Sequence, residues 1–168
     1  TQNTNWKNVE RAIENLKAAE AMAARPILKM PEPGLQELIR PAGYFRQKGA
    51  RLRRLAQWWI EEMNEDVEAF RSADVHDLRA SLLAIKGIGP ETADSIVLYA
   101  AELATFVVDT YTARVCVRHG LMEPGASYED IQSLFEYALP RDVALYQDYH
   151  AQLVEVGKNY CRKRPKCA

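Results

Sequence analysis

From residue 5 to residue 160 the apolar residues recur three and four positions apart, and no stretch alternates apolar with polar for long enough to make a half-buried strand. That spacing puts one apolar stripe on each of a series of helices and requires the stripes to bury one another. Asn5 predicts a cap for a helix whose apolar face is Trp6, Val9, Ile13 and Leu16. Pro26, Pro31, Pro33 and Gly34 read as a loop, followed by a short helix over 35–39 that Pro41 and Gly43 stop. A longer helix over 48–63 puts Leu52, Leu55, Trp59 and Met63 on one stripe. Asp74, with Asp77 three residues later, has the pattern of a capping box and opens a helix to residue 85. Further helices are expected over 91–102, 110–118, 127–139 (capped by Ser127 and Asp130) and 142–160. Residues 105–108 are apolar and β-branched but too short and isolated for a sheet, and read as a buried connector. The fold class is all-α.

The chain has 168 residues, 48% of them hydrophobic and 27% charged, which suits a globular protein of one domain or two small lobes. No apolar run approaches the ~20 residues that span a bilayer, and the start of the chain lacks the basic and apolar segments of a signal peptide. Three cysteines are too few for a disulfide scaffold. The expectation is a cytoplasmic, monomeric protein without a membrane partner. A net charge of −1 gives no sign of a nucleic-acid partner, but the distribution does. Residues 38–60 hold Arg40, Arg46, Lys48, Arg51, Arg53 and Arg54 and no acid; residues 157–168 hold Lys158, Arg162, Lys163, Arg164 and Lys166 and no acid. Each window alone reads as a solvated helix face. The two together raise a polyanion as partner.

The segment Leu82-Leu83-Ala84-Ile85-Lys86-Gly87-Ile88-Gly89-Pro90-Glu91-Thr92-Ala93 carries the most specific signal. One helix ends at a turn containing two glycines and another begins at once, with Pro90 suited to its first position. Glycines there permit positive φ and close backbone approach to a ligand. The new helix offers N–H groups and a positive dipole end to an anion. The plainer alternative is a tight helix connection that binds nothing.

Lys86-Gly87-Ile88-Gly89-Pro90 resembles the hairpin of helix-hairpin-helix proteins, which hold a DNA phosphate, here placed within residues 78–102. Twenty residues after Gly89, Val107-Val108-Asp109-Thr110-Tyr111 with Arg114-Val115 resembles the signature of the endonuclease III superfamily of DNA glycosylases. The resemblance implies a six-helix barrel core (1–106), then the catalytic-aspartate helix and a C-terminal lobe (107–168). It makes Asp109 the catalytic carboxylate and double-stranded DNA with a damaged base the partner. It also implies that Gln2, in Thr1-Gln2-Asn3-Thr4, fills the gap left by a flipped base. Tyr44, in the segment Ile39-Arg40-Pro41-Ala42-Gly43-Tyr44-Phe45, matches the wedge loop, with Lys48 following. Lys86, Gly87, Gly89, Glu91 and Thr92 complete the expected DNA contacts. Gly157-Lys158-x-x-Cys161, with Cys167, resembles the start of an iron–sulfur loop, which implies a [4Fe–4S] cluster.

A carboxylate leaving an apolar run, as Asp109 does, can stabilise an oxocarbenium-like sugar and orient water. Its plainer role is to cap the next helix. Glu91 stands where strand-cutting members carry a Schiff-base lysine, and a carboxylate cannot form that imine. The departure implies a monofunctional glycosylase that leaves an abasic site. Trp6, one turn after Gln2, is either a lining of the base pocket or a core residue. The Gln-Asn-Thr-x-aromatic segment and the Gly-Ile-Gly-x-Glu-Thr-Ala-Asp segment resemble the 3-methyladenine DNA glycosylase III branch, which implies an alkylated base; such a base is cationic and an aromatic face attracts it. Other tryptophans and tyrosines read as core or surface, Cys116 as a small packed apolar residue, and His76, His119 and His150 as scattered, without metal-ligand spacing. Relative to the family the chain lacks a preceding helix and two cluster cysteines, so a continuation past residue 168 is expected. Two rival readings remain: a hairpin module that only docks on phosphates, and a strand-cutting endonuclease III relative with its lysine elsewhere.

Overall fold

A computed structural model describes residues 4–166, and among them are ten α-helices, one 3-10 turn and no strand. The helices are α1 (Trp6–Ala18), α2 (Ala24–Lys29), α3 (Glu32–Leu38), α4 (Phe45–Glu61), α5 (Val67–Arg71), α6 (Val75–Ala84), α7 (Pro90–Tyr99), α8 (Thr110–Arg118), α9 (Tyr128–Ala138) and α10 (Val143–Asn159); the 3-10 turn, Arg40–Ala42, lies between α3 and α4. The chain divides into two compact units. One comprises the residues up to Ala69 together with Ile85–Gly87; the other comprises Phe70–Ala84 and the chain from Ile88 onward. The boundary expected between 106 and 107 falls inside the second unit.

In the first unit Asn5 caps α1 as expected, its Oδ1 accepting from the Asn8 N–H at 3.0 Å. Ala12 and Leu16 of that helix join Ala21, Ile27, Leu35, Ile39, Ala42 and Ala56 in an apolar core. Val9 and Ile13 are half-buried, but Trp6 is 60% exposed, which removes the core reading for it. The region expected to be a loop holds α2, and α3 starts earlier than the expected residue 35. Pro26 and Pro33 each stand within a first helical turn, where a missing N–H leaves no bond unmade. Helix α4 likewise starts before residue 48, and its buried tryptophan is Trp58 rather than Trp59, which is half-buried. The expected stripe of Leu52, Leu55, Trp59 and Met63 is half-buried throughout, the buried residues of α4 are Gly49, Ala56 and Trp58, and Met63 lies past the end of the helix.

Three prolines and a glycine leave many carbonyls unbonded in this unit, and the basic window meets them. Arg53 donates to the carbonyls of Ile27, Leu28 and Met30 at 2.8–3.0 Å, closing the end of α2. Arg54 Nη1 donates to the Lys86 carbonyl at 3.0 Å and Lys48 Nζ to the Ala42 carbonyl at 2.6 Å. Arg40 pairs with Glu37. Much of the charge that suggested a polyanion partner is thus engaged with the chain itself.

In the second unit the connector 105–108 is buried, as the sequence predicts. A buried extended segment without a sheet must bond its backbone elsewhere, and α9 supplies the partners. Glu136 Oε1 accepts from the Phe106 N–H (2.8 Å), Gln132 Nε2 donates to the Phe106 carbonyl (2.7 Å), and the Tyr128 hydroxyl accepts from the Val108 N–H (3.3 Å). Phe106 also stacks on Phe135 at 4.2 Å between ring centres. The caps expected for α8 and α9 are formed, by Asp109 and the Ser127/Asp130 capping box, and Asp142, read as the first residue of the last helix, is the N-cap of α10. Helix α10 lies so close to α8 that a Cβ on Gly157 would stand 2.5 Å from that of Tyr111. Arg114, over the Tyr111 ring, donates to the carbonyls of Gly157 and Cys161. The Tyr and Arg of the Asp-Thr-Tyr-x-x-Arg run therefore join α8 to the end of α10.

Candidate active site and nucleic-acid interface

Asp109 sits at the exit of the buried connector with its side chain 14% exposed. Its Oδ1 accepts from the Thr112 N–H at 2.8 Å, so the capping role is real. Capping uses one oxygen only. The other, Oδ2, faces His150 Nε2 across 4.0 Å, and His150 Nδ1 is 2.7 Å from the Tyr99 hydroxyl. Sequence reading missed both partners: His150 looked scattered, and no local pattern links it to a tyrosine 51 residues away. Burial lowers the His150 pKa, with the Asp109 charge acting in the opposite sense. Glu91, half-buried in the first turn of α7, has its pKa raised by burial and then by the Asp109 carboxylate. The Glu91 carboxylate thus feels the charge of the Asp109 carboxylate.

The hairpin between α6 and α7 shows two glycines with different duties. Gly87 has φ +97°, and a Cβ there would meet the Arg51 side chain at 3.0 Å. Gly89 has φ −104° and ψ 176°, an extended conformation open to any residue, and a Cβ on it would meet nothing within 4 Å. The positive φ that glycine permits is used at Gly87 and not at Gly89. Gly89 is the N-cap of α7, without a side-chain bond, and its carbonyl accepts from Thr92 and Ala93. Lys86 is exposed beside it.

In the first unit Tyr44 is 60% exposed and held at φ +47° as the N-cap of α4. A non-glycine residue in that region is uncommon and marks a position fixed by its surroundings. The Lys48 bond to Ala42 ties α4 to the turn preceding Tyr44, and burial, then Arg51, lowers the Lys48 pKa. Gln2 and Cys167 lie outside the described residues. Cys161 is buried, its thiol receiving Arg118 Nη1 at 3.3 Å, while the same arginine and Arg114 hold the carbonyls of residues 161–163. The start of the expected cluster loop is therefore ordered by arginines. Among the described residues there is no group of three or more His, Cys, Asp or Glu that could hold a metal, and no step is assigned to one. Cys116 is buried, as predicted. No helix among the described residues is long and apolar enough to cross a membrane.

Two helices joined through Gly87 and Gly89, followed by a half-spent aspartate at the end of a buried connector, define the class of helix-hairpin-helix DNA glycosylases. The chain belongs to the HhH-GPD superfamily of base excision DNA repair proteins, whose family model matches residues 1–141. It is 46% identical over 168 residues to a candidate DNA repair glycosylase of Methanocaldococcus jannaschii, covering 99% of this chain and 76% of that protein. It is 30% identical over 132 residues to endonuclease III of Sulfolobus acidocaldarius, covering 78% of this chain and 56% of that protein. Among solved structures it resembles the H. pylori 3-methyladenine DNA glycosylase bound to 1,N6-ethenoadenine, with a TM-score of 0.80, 29% identity, and coverage of 94% and 80% of the two chains.

Proposed function

We propose that this DNA glycosylase is monofunctional, that its substrate is an alkylated base in duplex DNA, and that Asp109 carries the hydrolysis. The observation that carries the reading is Glu91: the residue within electrostatic reach of Asp109 is a carboxylate and cannot form an imine with the sugar. As the C1′–N bond breaks, its electron pair leaves with the base, and a purine alkylated at N3 or N7, cationic while attached, departs neutral without needing a proton. The Asp109 carboxylate stabilises the cationic sugar, and water adds to C1′, giving up its proton to the aspartate. The likeness to a 3-methyladenine DNA glycosylase supports the alkylated base, and the exposed Trp6 ring supports a face for a cationic purine. Gln2 and Tyr44 are assigned to the gap and wedge of the opened duplex, with Lys48 behind the wedge. Lys86, Gly87, Gly89 and Thr92 are assigned to its phosphates. Cys161 and Cys167 are assigned to a [4Fe–4S] cluster completed by ligands outside the described residues, which iron content and visible absorption of the purified protein test.

The likeness to an endonuclease III favours a second reading, a glycosylase that also cuts the strand. A panel of duplexes, each with one lesion and including 3-methyladenine and 1,N6-ethenoadenine, separates the two. The expected result is strand breakage only after alkali and no adduct trapped by borohydride. A trapped protein–DNA adduct overturns the monofunctional reading.

A further inference from the structure

Capping α8 does not require what surrounds the second oxygen of Asp109. His150 comes from α10 and Tyr99 from the end of α7, and together they form a line: Tyr99 hydroxyl, His150 Nδ1 at 2.7 Å, His150 Nε2, Asp109 Oδ2 at 4.0 Å. His150 Nε2 is buried and finds no hydrogen-bond partner among the described residues. A buried polar atom left unpaired in a native fold calls for an explanation, and a catalytic role is one of the few that suffice. The other buried side-chain atom without a partner among the described residues is Thr112 Oγ1, and Thr112 is the residue whose N–H Asp109 caps. Both unpaired atoms thus belong to residues that adjoin Asp109.

The line has a direction. Burial, and then the Asp109 charge, push the Tyr99 phenol above its ordinary pKa, so it keeps a proton that it can donate to Nδ1. A neutral imidazole that accepts at Nδ1 carries its proton at Nε2, the nitrogen aimed at Oδ2. Ionisable groups facing Asp109 are Glu91 and Tyr99 from α7 and His150 from α10; those facing His150 are Tyr99 and Asp109. Glu91 feels the Asp109 charge, and a donor fixed on Asp109 favours the oxygen that faces it.

We infer that His150, held as the Nε2–H tautomer by Tyr99, is a positioning residue that orients the second oxygen of Asp109 as a hydrogen-bond donor to it. The inference rests on the reading of Asp109 as the group that carries hydrolysis. A distance of 4.0 Å is one step short of a hydrogen bond, and apo catalytic contacts of this kind tighten in the substrate complex. The ring does not touch the sugar; it acts through the aspartate.

Two measurements test this, and the first needs no substrate. Nitrogen NMR of the histidine rings, with the His150 signal assigned by its loss in His150→Gln, should show the Nε2–H tautomer at neutral pH. Asp109→Asn should lower the His150 titration midpoint, because the aspartate charge is what raises it. A Nδ1–H tautomer, or a midpoint indifferent to Asp109→Asn, overturns the inference. The second measurement is the pH profile of excision on the panel duplex that the native chain cleaves fastest. His150→Phe should slow kcat about tenfold and move the acidic limb upward by about one pH unit, with duplex affinity unchanged. His150→Gln, whose amide can donate, should restore the limb. A profile that keeps its shape in His150→Phe while the melting temperature falls makes His150 a packing residue and overturns the inference. Full excision by Asp109→Asn instead defeats the reading of Asp109, and the NMR coupling then stands or falls separately.

Discussion

Asp94 and Asp109 both belong to the second unit, and their surroundings are opposite in kind. Asp94 is 0% exposed; Arg79 donates to both its oxygens at 2.7 and 3.1 Å, and Tyr128 and Gln132 donate to Oδ2 at 2.7 and 2.9 Å. Burial, then the Asp94 charge, push the Tyr128 phenol far above its ordinary value, so that it remains a donor. The same hydroxyl accepts from the Val108 N–H, so the network ends one residue before Asp109. Among the described residues Asp109 has one hydrogen-bonded oxygen, and its side chain reaches solvent. A carboxylate whose lone pairs are all engaged holds a fold together. One with an oxygen to spare, on a backbone fixed by the first, is placed to act on something else.

Breaking the Asp94 side of this comparison should give the largest effect. Asp94→Ala leaves Arg79, Tyr128 and Gln132 facing an empty, buried position, and removal of one partner from a buried ion pair costs about 3–5 kcal/mol. Thermal unfolding should register a fall of roughly 10 °C or more. A loss below about 1 kcal/mol would mean that the network is not what aligns the connector.

Asp109→Asn should do the reverse. Asparagine is as good an N-cap as aspartate, so melting should hardly change, and duplex binding should persist. Excision should fall by about 10²–10³ or more, the usual cost of losing a transition-state electrostatic partner. Undiminished turnover would favour a module that docks without chemistry.

The two aspartates also mark how far sequence reading reached. Caps are local, and Asp109 and Ser127 with Asp130 were legible because each bonds an N–H three residues on. The hairpin was legible for the same reason. Short helices such as α2 and α5 were not, since their few turns give no periodicity and Pro26 looked like a breaker. His150 was invisible because its meaning lies in contacts with Tyr99 and Asp109 that only the packing of α10 creates. The basic window misled in part: Arg53 and Arg54 are drawn to backbone carbonyls that proline-rich and glycine-rich turns leave open.

The hairpin glycines repeat the contrast on a smaller scale. Gly87→Ala places a side chain at φ +97° against Arg51 and should cost about 1 kcal/mol or more in stability. Gly89→Asp places an N-cap aspartate in open space at an ordinary φ, so the fold should tolerate or welcome it. If the hairpin holds a phosphate, the new carboxylate repels it, and duplex affinity should fall about tenfold, the equivalent of 1.4 kcal/mol. The loss should be alike for every DNA sequence, since a phosphate contact carries no base information. Normal binding by Gly89→Asp would leave the hairpin a structural joint.

Glu91 yields the smallest effect and the one with a pH signature. Burial and the Asp109 charge raise its pKa in the folded protein. A raised carboxylate pKa means that the folded state binds the proton more tightly than the unfolded chain does. Stability is therefore lost as pH climbs from the ordinary glutamate value through the raised one, and the deficit persists above it. Glu91→Gln removes the repulsion between the two carboxylates. It should melt higher than the native protein at neutral pH, by only about 1–2 °C because the group is half-exposed and screened. Below about pH 4, where the native glutamate is protonated, the two curves should meet. Melting temperatures of both proteins across that range decide the matter. A gap of the same size at every pH would show that Glu91 acts through packing rather than through its charge beside Asp109.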